Sequence, residues 1–452
     1  MRTVGSVKGV ADFIETPYEL RKHLVSHFKH IKRLDPWKRE RERTDPIKKE
    51  LIRDYGAKCA VCGLNIDVVA AHIIPLEIGA ETTKDNLVLL CFKCHDRYDK
   101  GYISINVMKR LAQRWRRGKC IEFLWPTIES IQRLSPAMIP PPGPVQAIME
   151  QVREYQLQKK YCKGIGIMQK ALKEGYLDNE GRLYLTIKCG ELTRRRAARN
   201  VVVEATEILE HITLKELPRR YHSVYYYELS YTYRLRGYHS KAAQIIRISA
   251  EAQQDKEHGK VPSLEFISAS AAEILCLLAA RDSLSLQEVE DFVDRLHKLE
   301  IEAMKRGNYW GGRWRLNCAA HRLQVYLKGR EGKKSWETLQ QVRNLYYESD
   351  IFNGWDAASK QTISLLEGLT RVFFPKDEAD LDISIGLLAR AFITRTGPRQ
   401  RPEGIRDVGF GLVEGCRKAK GKLPERTVAS IERIMKQTID GTSVLWPWKA
   451  DR

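Results

Sequence analysis

No segment of this 452-residue sequence is apolar for long enough to cross a bilayer, which takes about 20 residues. The longest candidate, Ala271-Ala272 followed by Ile274 to Ala280, is broken by Glu273. The first fifteen residues carry Asp12 and Glu15 and hold no apolar core of the kind a secretion signal needs, so a cytoplasmic protein is expected. The apolar and charged fractions, 43% and 30%, exclude a disordered chain and leave room for roughly two to four domains with cores of their own. Cysteine is too sparse and scattered for a disulfide scaffold. Six of the ten (Cys120, Cys162, Cys189, Cys276, Cys318, Cys416) stand singly, mostly in apolar helical stretches, and read as small core residues in a reducing compartment.

Acidic residues are outnumbered 57 to 77, which leaves a formal charge of +20. A polyanionic partner explains this most economically, because neutralised phosphates release counterions. Charge alone does not separate nucleic acid from an anionic membrane surface, and both halves of the chain are basic.

Ser135 to Pro144 is proline-rich and reads as a stiff connector. It divides a basic helical extension (1–44) and a motif-bearing domain with a basic flanking helix (45–134) from a helical domain (145–440) and a tail (441–452). In the extension, Thr16, Pro17 and Glu19 form a capping box that starts a helix running to about Leu34. Leu20, Leu24, Phe28 and Ile31 share one face of it. His23, His27 and His30 form a second stripe, read as a solvated basic flank rather than a metal face. A second helix is expected from Asp45 to Tyr55, closed by Gly56 in the left-handed conformation. Beyond the connector, residues 148–174, 199–213, 222–235, 239–253, 263–281, 285–306 and 313–328 read as amphipathic helices. The stretch with Tyr225, Arg234, Gly237-Tyr238 and Ala242 resembles a tetratricopeptide unit, and degenerate helix pairs recur, so an all-α solenoid is expected.

The chemistry concentrates between Cys59 and Asp99. Cys59-Ala-Val-Cys62 and Cys91-Phe-Lys-Cys94 are two knuckles whose four thiolates suit a closed tetrahedral zinc site. Between them, the β-branched run from Ile66 leads to Ala70-Ala-His72-Ile-Ile-Pro75, and Asn86-Leu-Val-Leu-Leu90 reads as a second apolar strand. A polar helical turn then places His95 and Asp99 on one side, four residues apart. A neutral imidazole deprotonates water, and a hard divalent ion neutralises charge at a phosphorane and its leaving oxygen.

The two knuckles, His-Ile-Ile-Pro, Gly79, Asn-Leu-x-x-Leu-Cys and Cys-His together resemble the HNH (ββα-metal, His-Me finger) endonuclease family over about residues 45–105. The resemblance implies a small α+β domain with a four-cysteine zinc site, fused here to an all-α, tetratricopeptide-like remainder. It implies His72 as general base, Asn86 as a pin for the loop or an aid to the metal, and His95 with Asp99 as ligands of Mg²⁺ or Mn²⁺. It departs from many members at Ala71, where an acidic residue or histidine often precedes the base, although some branches read Ala-Ala-His-Ile here; Asp67 and Asp99 are the candidates to compensate. Lys109, Arg110, Arg114, Arg116, Arg117 and Lys119, around Trp115, are the expected phosphate contacts, while Arg194 to Arg196 and Arg199 are either a further grip or an exposed run. Double-stranded DNA is the expected substrate, with the helical domain for targeting, sensing or assembly through a protein partner or self-association. Fusion of such modules suggests, by analogy, a restriction or anti-phage effector. The competing reading is a catalytically inactive zinc-binding adaptor.

Overall fold

In this computed structural model the described residues are Leu24, 36–64, 67–74, 82–99, 103, 105–118, 143–157, 160–194, 199–213, 215, 217–218, 221–254, 264–305, 309–348, 354–395, 404–419, 423–437 and 441–447. No helix among them is long and apolar enough to cross a membrane.

The motif-bearing domain opens with α1 (Pro36–Tyr55). It starts nine residues before the expected Asp45, because Pro36 supplies a helical φ at the first position, where no backbone donor is missed. Pro46 is carried inside it. Gly56, at φ +76°, ends it as expected and donates to the Ile52 carbonyl. Two strands follow, β1 (Val68–His72) and β2 (Leu87–Cys91), antiparallel and in register from Val68 opposite Cys91 to His72 opposite Leu87. Every residue of β2 is buried, which its unbroken apolar run requires. Then come α2 (Phe92–Asp99) and α3 (Ile105–Arg116). The hairpin, Leu51, Val61, Tyr98, Met108, Leu111 and Trp115 form one core, with the Trp115 and Tyr55 rings 4.8 Å apart.

The remainder is helical: α4 (Gly143–Leu157), α5 (Tyr161–Lys173), α6 (Asn179–Arg194), α7 (Arg199–Glu210), α8 (His222–Leu235), α9 (His239–Gln254), α10 (Leu264–Ala280), α11 (Leu286–Lys305), α12 (Tyr309–Lys328), α13 (Gly332–Glu348), α14 (Gly354–Phe373), α15 (Glu378–Arg395), α16 (Ile405–Lys418) and α17 (Glu425–Gln437). The single helix expected over 148–174 is two, α4 and α5. The connector ends early, since Gly143 and Pro144 already belong to α4. Each helix packs on the next, and the even-numbered ones from α4 to α16 also touch one another in succession, forming a continuous inner layer.

Buried carboxylates tie neighbouring helices. Glu273, which breaks the apolar run of α10, is gripped by Arg247 of α9 at 2.8 Å and Arg295 of α11 at 3.1 Å. Glu367 of α14 similarly meets Arg343 of α13 and its own Arg371. Arg194 belongs to this class: it is buried, 2.6 Å from Glu228, with its guanidinium over the Tyr231 ring. Arg195, Arg196 and the Arg199 side chain lie outside the described residues. Of the scattered cysteines, Cys189, Cys276, Cys318 and Cys416 are core residues, and burial pushes the Cys318 and Cys416 thiols up to about 12. Cys162 is exposed, against expectation, because it falls on the outward face of α5. Cys120 is outside the described residues.

The motif-bearing domain and the N-terminal extension each contact the helices. Ile74, two residues after His72, and Ile105 pack with Leu316, Ala319, Val342, Tyr346 and Ile363 of α12 to α14. Leu24, the one described residue of the N-terminal extension before Pro36, is fully buried among α12 to α17. The tail has a role the sequence did not disclose. Residues 441–447 cross the inner layer: Gly441 donates to the Leu235 carbonyl, Arg234 of α8 and Lys328 of α12 donate to the carbonyls of Thr442 and Val444, and Asp407 of α16 accepts three backbone N–H groups.

Candidate active site and zinc centre

The cysteines come together as their spacing requires. Cys59 and Cys62 lie in the turn after α1, Cys91 ends β2, and Cys94 lies in the first turn of α2. The four Sγ atoms are all within 4.8 Å of one another, and Cys62 and Cys91 are 3.9 Å apart. A tetrahedral zinc with bonds of about 2.3 Å needs sulfur–sulfur edges of about 3.8 Å, so the donor set fits that ion. The knuckle backbone is fixed by Gly63, at φ +72°, donating to Cys59, and by Cys59 donating to Leu64. A hydrogen bond with Cys94 pulls the Cys59 thiol down to about 4, while the same bond pushes Cys94 up. Four thiols this close do not all ionise unless a cation neutralises them.

Of the predicted site residues, His72 and Asn86 lie at the other end of the hairpin. His72 ends β1, half-buried, with Nε2 3.2 Å from the Thr82 hydroxyl. Asn86 immediately precedes β2. Its Oδ1 accepts from the Ile74 N–H at 2.7 Å and its Nδ2 donates to the Ile74 carbonyl at 2.9 Å. Its own carbonyl accepts from Ile73 at 2.8 Å. Tyr98, buried in α2, donates its hydroxyl to the Ile73 carbonyl at 2.5 Å. The chain just after His72 is therefore held from two sides. His95 is half-buried on α2, one residue past a zinc ligand, and Asp99 is the last residue of that helix, its side chain outside the described set.

Ala71 is 2% exposed and packs into the domain core, so its position offers an ion nothing. Asp67 cannot take its place beside His72: it is exposed beyond the far end of β1, about 16 Å from His72 at strand rise.

On α3, Arg110 and Arg114 are exposed and Lys109 half-buried, Arg117 just past its end is exposed, and Trp115 is buried in the core. Lys119 lies outside the described residues. Arg116, grouped by sequence with the phosphate contacts, points inward. Its Nη2 donates to the carbonyls of Lys84, Asp85 and Leu87 at 3.0, 2.8 and 3.2 Å, clamping the turn that delivers Asn86. Sequence reading missed Thr82, Tyr98 and this use of Arg116. Only Tyr98, four residues after Cys94 and so on its side of the helix, left a periodic signal.

Residues 59–101 match the family model described as HNH endonuclease. The matched stretch holds both knuckles, the hairpin and α2, so the likeness to HNH endonucleases covers the hairpin, helix and four-cysteine cluster together. No curated protein and no solved structure matches the chain.

Proposed function

We propose that the protein is a metal-dependent phosphodiesterase that nicks or cuts double-stranded DNA. The observation that carries this reading is the convergence of His72 and Asn86 at one end of a zinc-tied hairpin, with His95 on the helix packed beside it. His72 takes a proton from water, whose oxygen attacks phosphorus as the bond to the 3′ oxygen breaks. Asn86 and Tyr98 hold the main chain of Ile73 and Ile74 so that the imidazole keeps its place. His95 and Asp99, one helical turn apart, would hold a Mg²⁺ or Mn²⁺ ion through nitrogen and carboxylate donors, and such an ion would supply charge neutralisation at the leaving oxygen. Arg110, Arg114 and Arg117 meet the phosphate backbone. Zinc is structural.

The helical remainder, with its inner layer of even-numbered helices, fits an α-solenoid of tetratricopeptide-like pairs that serves targeting, sensing or assembly, as in a restriction or anti-phage effector. The test is nicking of supercoiled plasmid with Mg²⁺ or Mn²⁺, comparing the native chain, His72→Ala and an EDTA control. Metal-dependent nicking that the variant loses supports the reading. Retained zinc and tight DNA binding without cleavage under any metal supports the inactive adaptor.

A further inference from the structure

α2 turns Cys94 and Tyr98 into the core and leaves Phe92 and Lys93 in solvent. Phe92 is 78% exposed, the most open large apolar side chain among the described residues. A lone exposed apolar group needs no explanation, but this one has company and a rigid base. Leu64, on the opposite knuckle, is 56% exposed, and the two knuckles meet at the 3.9 Å approach of Cys62 to Cys91. The four-thiol site thus fixes both prongs from below. Among the described side chains, exposed Lys58 and Lys93 flank them, against the exposed carboxylate of Asp67 across the hairpin. The surroundings favour a polyanion.

The placement relative to the catalytic end is defined. Phe92 precedes His95 by three residues, hence about 60° around the helix and about 4.5 Å along its axis. The hairpin from Cys91 to Leu87, opposite Val68 to His72, measures about 13 Å. A nucleic-acid strand with its scissile phosphate at His72 and running along the hairpin therefore reaches Phe92 within a few nucleotides.

We propose that Phe92 is a base-stacking contact, and that the substrate class of this nuclease is DNA with an unpaired or unstacked base a few nucleotides from the cut, as at a bulge, flap or junction. The inference rests on the nuclease reading above. A phenyl ring stacks on any base face, so the contact reads structure rather than sequence, and alanine substitution at such a platform costs about tenfold in affinity. The rim lysines add salt-dependent attraction without selecting a base.

The experiment uses the full-length zinc-loaded chain with Ca²⁺ to hold back cleavage. Its probes are two DNA duplexes alike except that one carries a single unpaired 2-aminopurine. Anisotropy gives affinity, and 2-aminopurine quenching reports stacking. The native chain and Phe92→Trp are expected to bind the bulged duplex about tenfold tighter than the paired one and to quench the probe. Phe92→Ala is expected to bind both alike without quenching, with zinc content and circular dichroism unchanged. Equal discrimination by native and Phe92→Ala proteins, or no quenching by the native chain, overturns the proposal while leaving plasmid nicking intact. A native chain that neither binds nor nicks any DNA overturns the nuclease reading instead.

Discussion

Asn86 holds Ile74 by both of its main-chain polar groups, accepting its N–H at 2.7 Å and donating to its carbonyl at 2.9 Å. The side-chain amide is the one neutral group with a donor and an acceptor at the right separation to do this. Ile74 in turn packs against the helical domain, so one amide fixes the chain between His72 and that contact. Asn86→Ala is expected to lower stability by about 1–3 kcal/mol, because two half-buried backbone groups lose their partners. Nicking should fall far more steeply than the melting temperature while zinc stays bound. Asn86→Asp should do no better, since its carboxylate faces the Ile74 carbonyl without a proton to offer. Nicking at the native rate by either variant would show that the loop needs no pin.

Arg116 makes a sharper division among the basic residues of α3. Its guanidinium satisfies three carbonyls of the turn before β2, a task the single ammonium of lysine does poorly. Arg116→Lys is therefore expected to destabilise the domain by about 1–3 kcal/mol and to leave the salt dependence of DNA binding unchanged. Arg114→Ala and Arg117→Ala should each reduce the slope of log affinity against log salt by about one, with no loss of thermal stability. Binding isotherms across a salt series, set beside melting curves, check both halves of this expectation.

Removal of zinc should act on the fold before it acts on chemistry. Three of the four cysteines are buried, and the knuckles join α1, the hairpin and α2 at one point. Stripping the ion leaves a cluster of thiols that burial and their mutual hydrogen bonds place at odds. A strong chelator, or Cys62→Ser, is expected to melt the region around residues 44–118 while the array from α4 to α17 keeps its helical signal. Metal analysis should return one zinc per chain in the native protein. Unaltered proteolytic resistance of the domain after chelation would rule out a structural ion.

What the sequence disclosed follows from the range of the forces involved. Cysteine spacing and the unbroken apolar run of β2 report local geometry, and both appear where expected. Amphipathic period located α8, α9, α10 and α11 within a residue or two. It failed for α6, which is buried almost all round and even sinks Lys188, Glu191 and Arg194, paired internally, so no polar stripe survives. Helices α13 to α17 went unread, although the apolar face of α17 is plain once Val428, Ile431 and Met435 are seen to pack inward. Thr82, Tyr98 and Arg116 act through contacts 10 to 32 residues apart, and spacing within one element says nothing of those.

Burial holds His321 neutral, pulling its imidazole down to about 4, even though Gln324 lies 3.0 Å from Nδ1 and favours the charged form. In the unfolded chain the same group titrates near 6.5. The contribution to stability is fully present above pH 6.5 and is lost as pH falls from there toward 4, because the unfolded state binds the proton first. Between pH 7.5 and pH 5 the native chain should lose on the order of 1–2 kcal/mol from this group. His321→Gln should flatten that part of the profile, which denaturant titrations at the two pH values measure directly.

The tail makes the most demanding prediction. In a linear array each helix pair feels only its neighbours, so such arrays tend to unfold piecemeal. Here residues 441–447 connect α8, α12 and α16, binding Thr442 to Arg234 across 208 residues of sequence. Asp407, 2% exposed, accepts from the N–H groups of Val444, Leu445 and Trp446 at 2.8 to 2.9 Å, and Lys328 closes on the Val444 carbonyl at 2.6 Å. A Cβ at Gly441 would meet the Arg234 carbonyl oxygen itself. Asp407→Asn trades a charged acceptor for a group that turns a donor toward backbone donors, and should cost about 2–4 kcal/mol. Gly441→Val should displace the segment outright. Deletion of residues 441–452 is expected to split a single denaturant transition of the helical domain into two or more, with a shallower slope in each. Zinc content should stay at one per chain, since these bonds of the strap all run to the helical domain. A truncated chain that still unfolds in one transition at the native midpoint would mean the inner layer is cooperative without its strap.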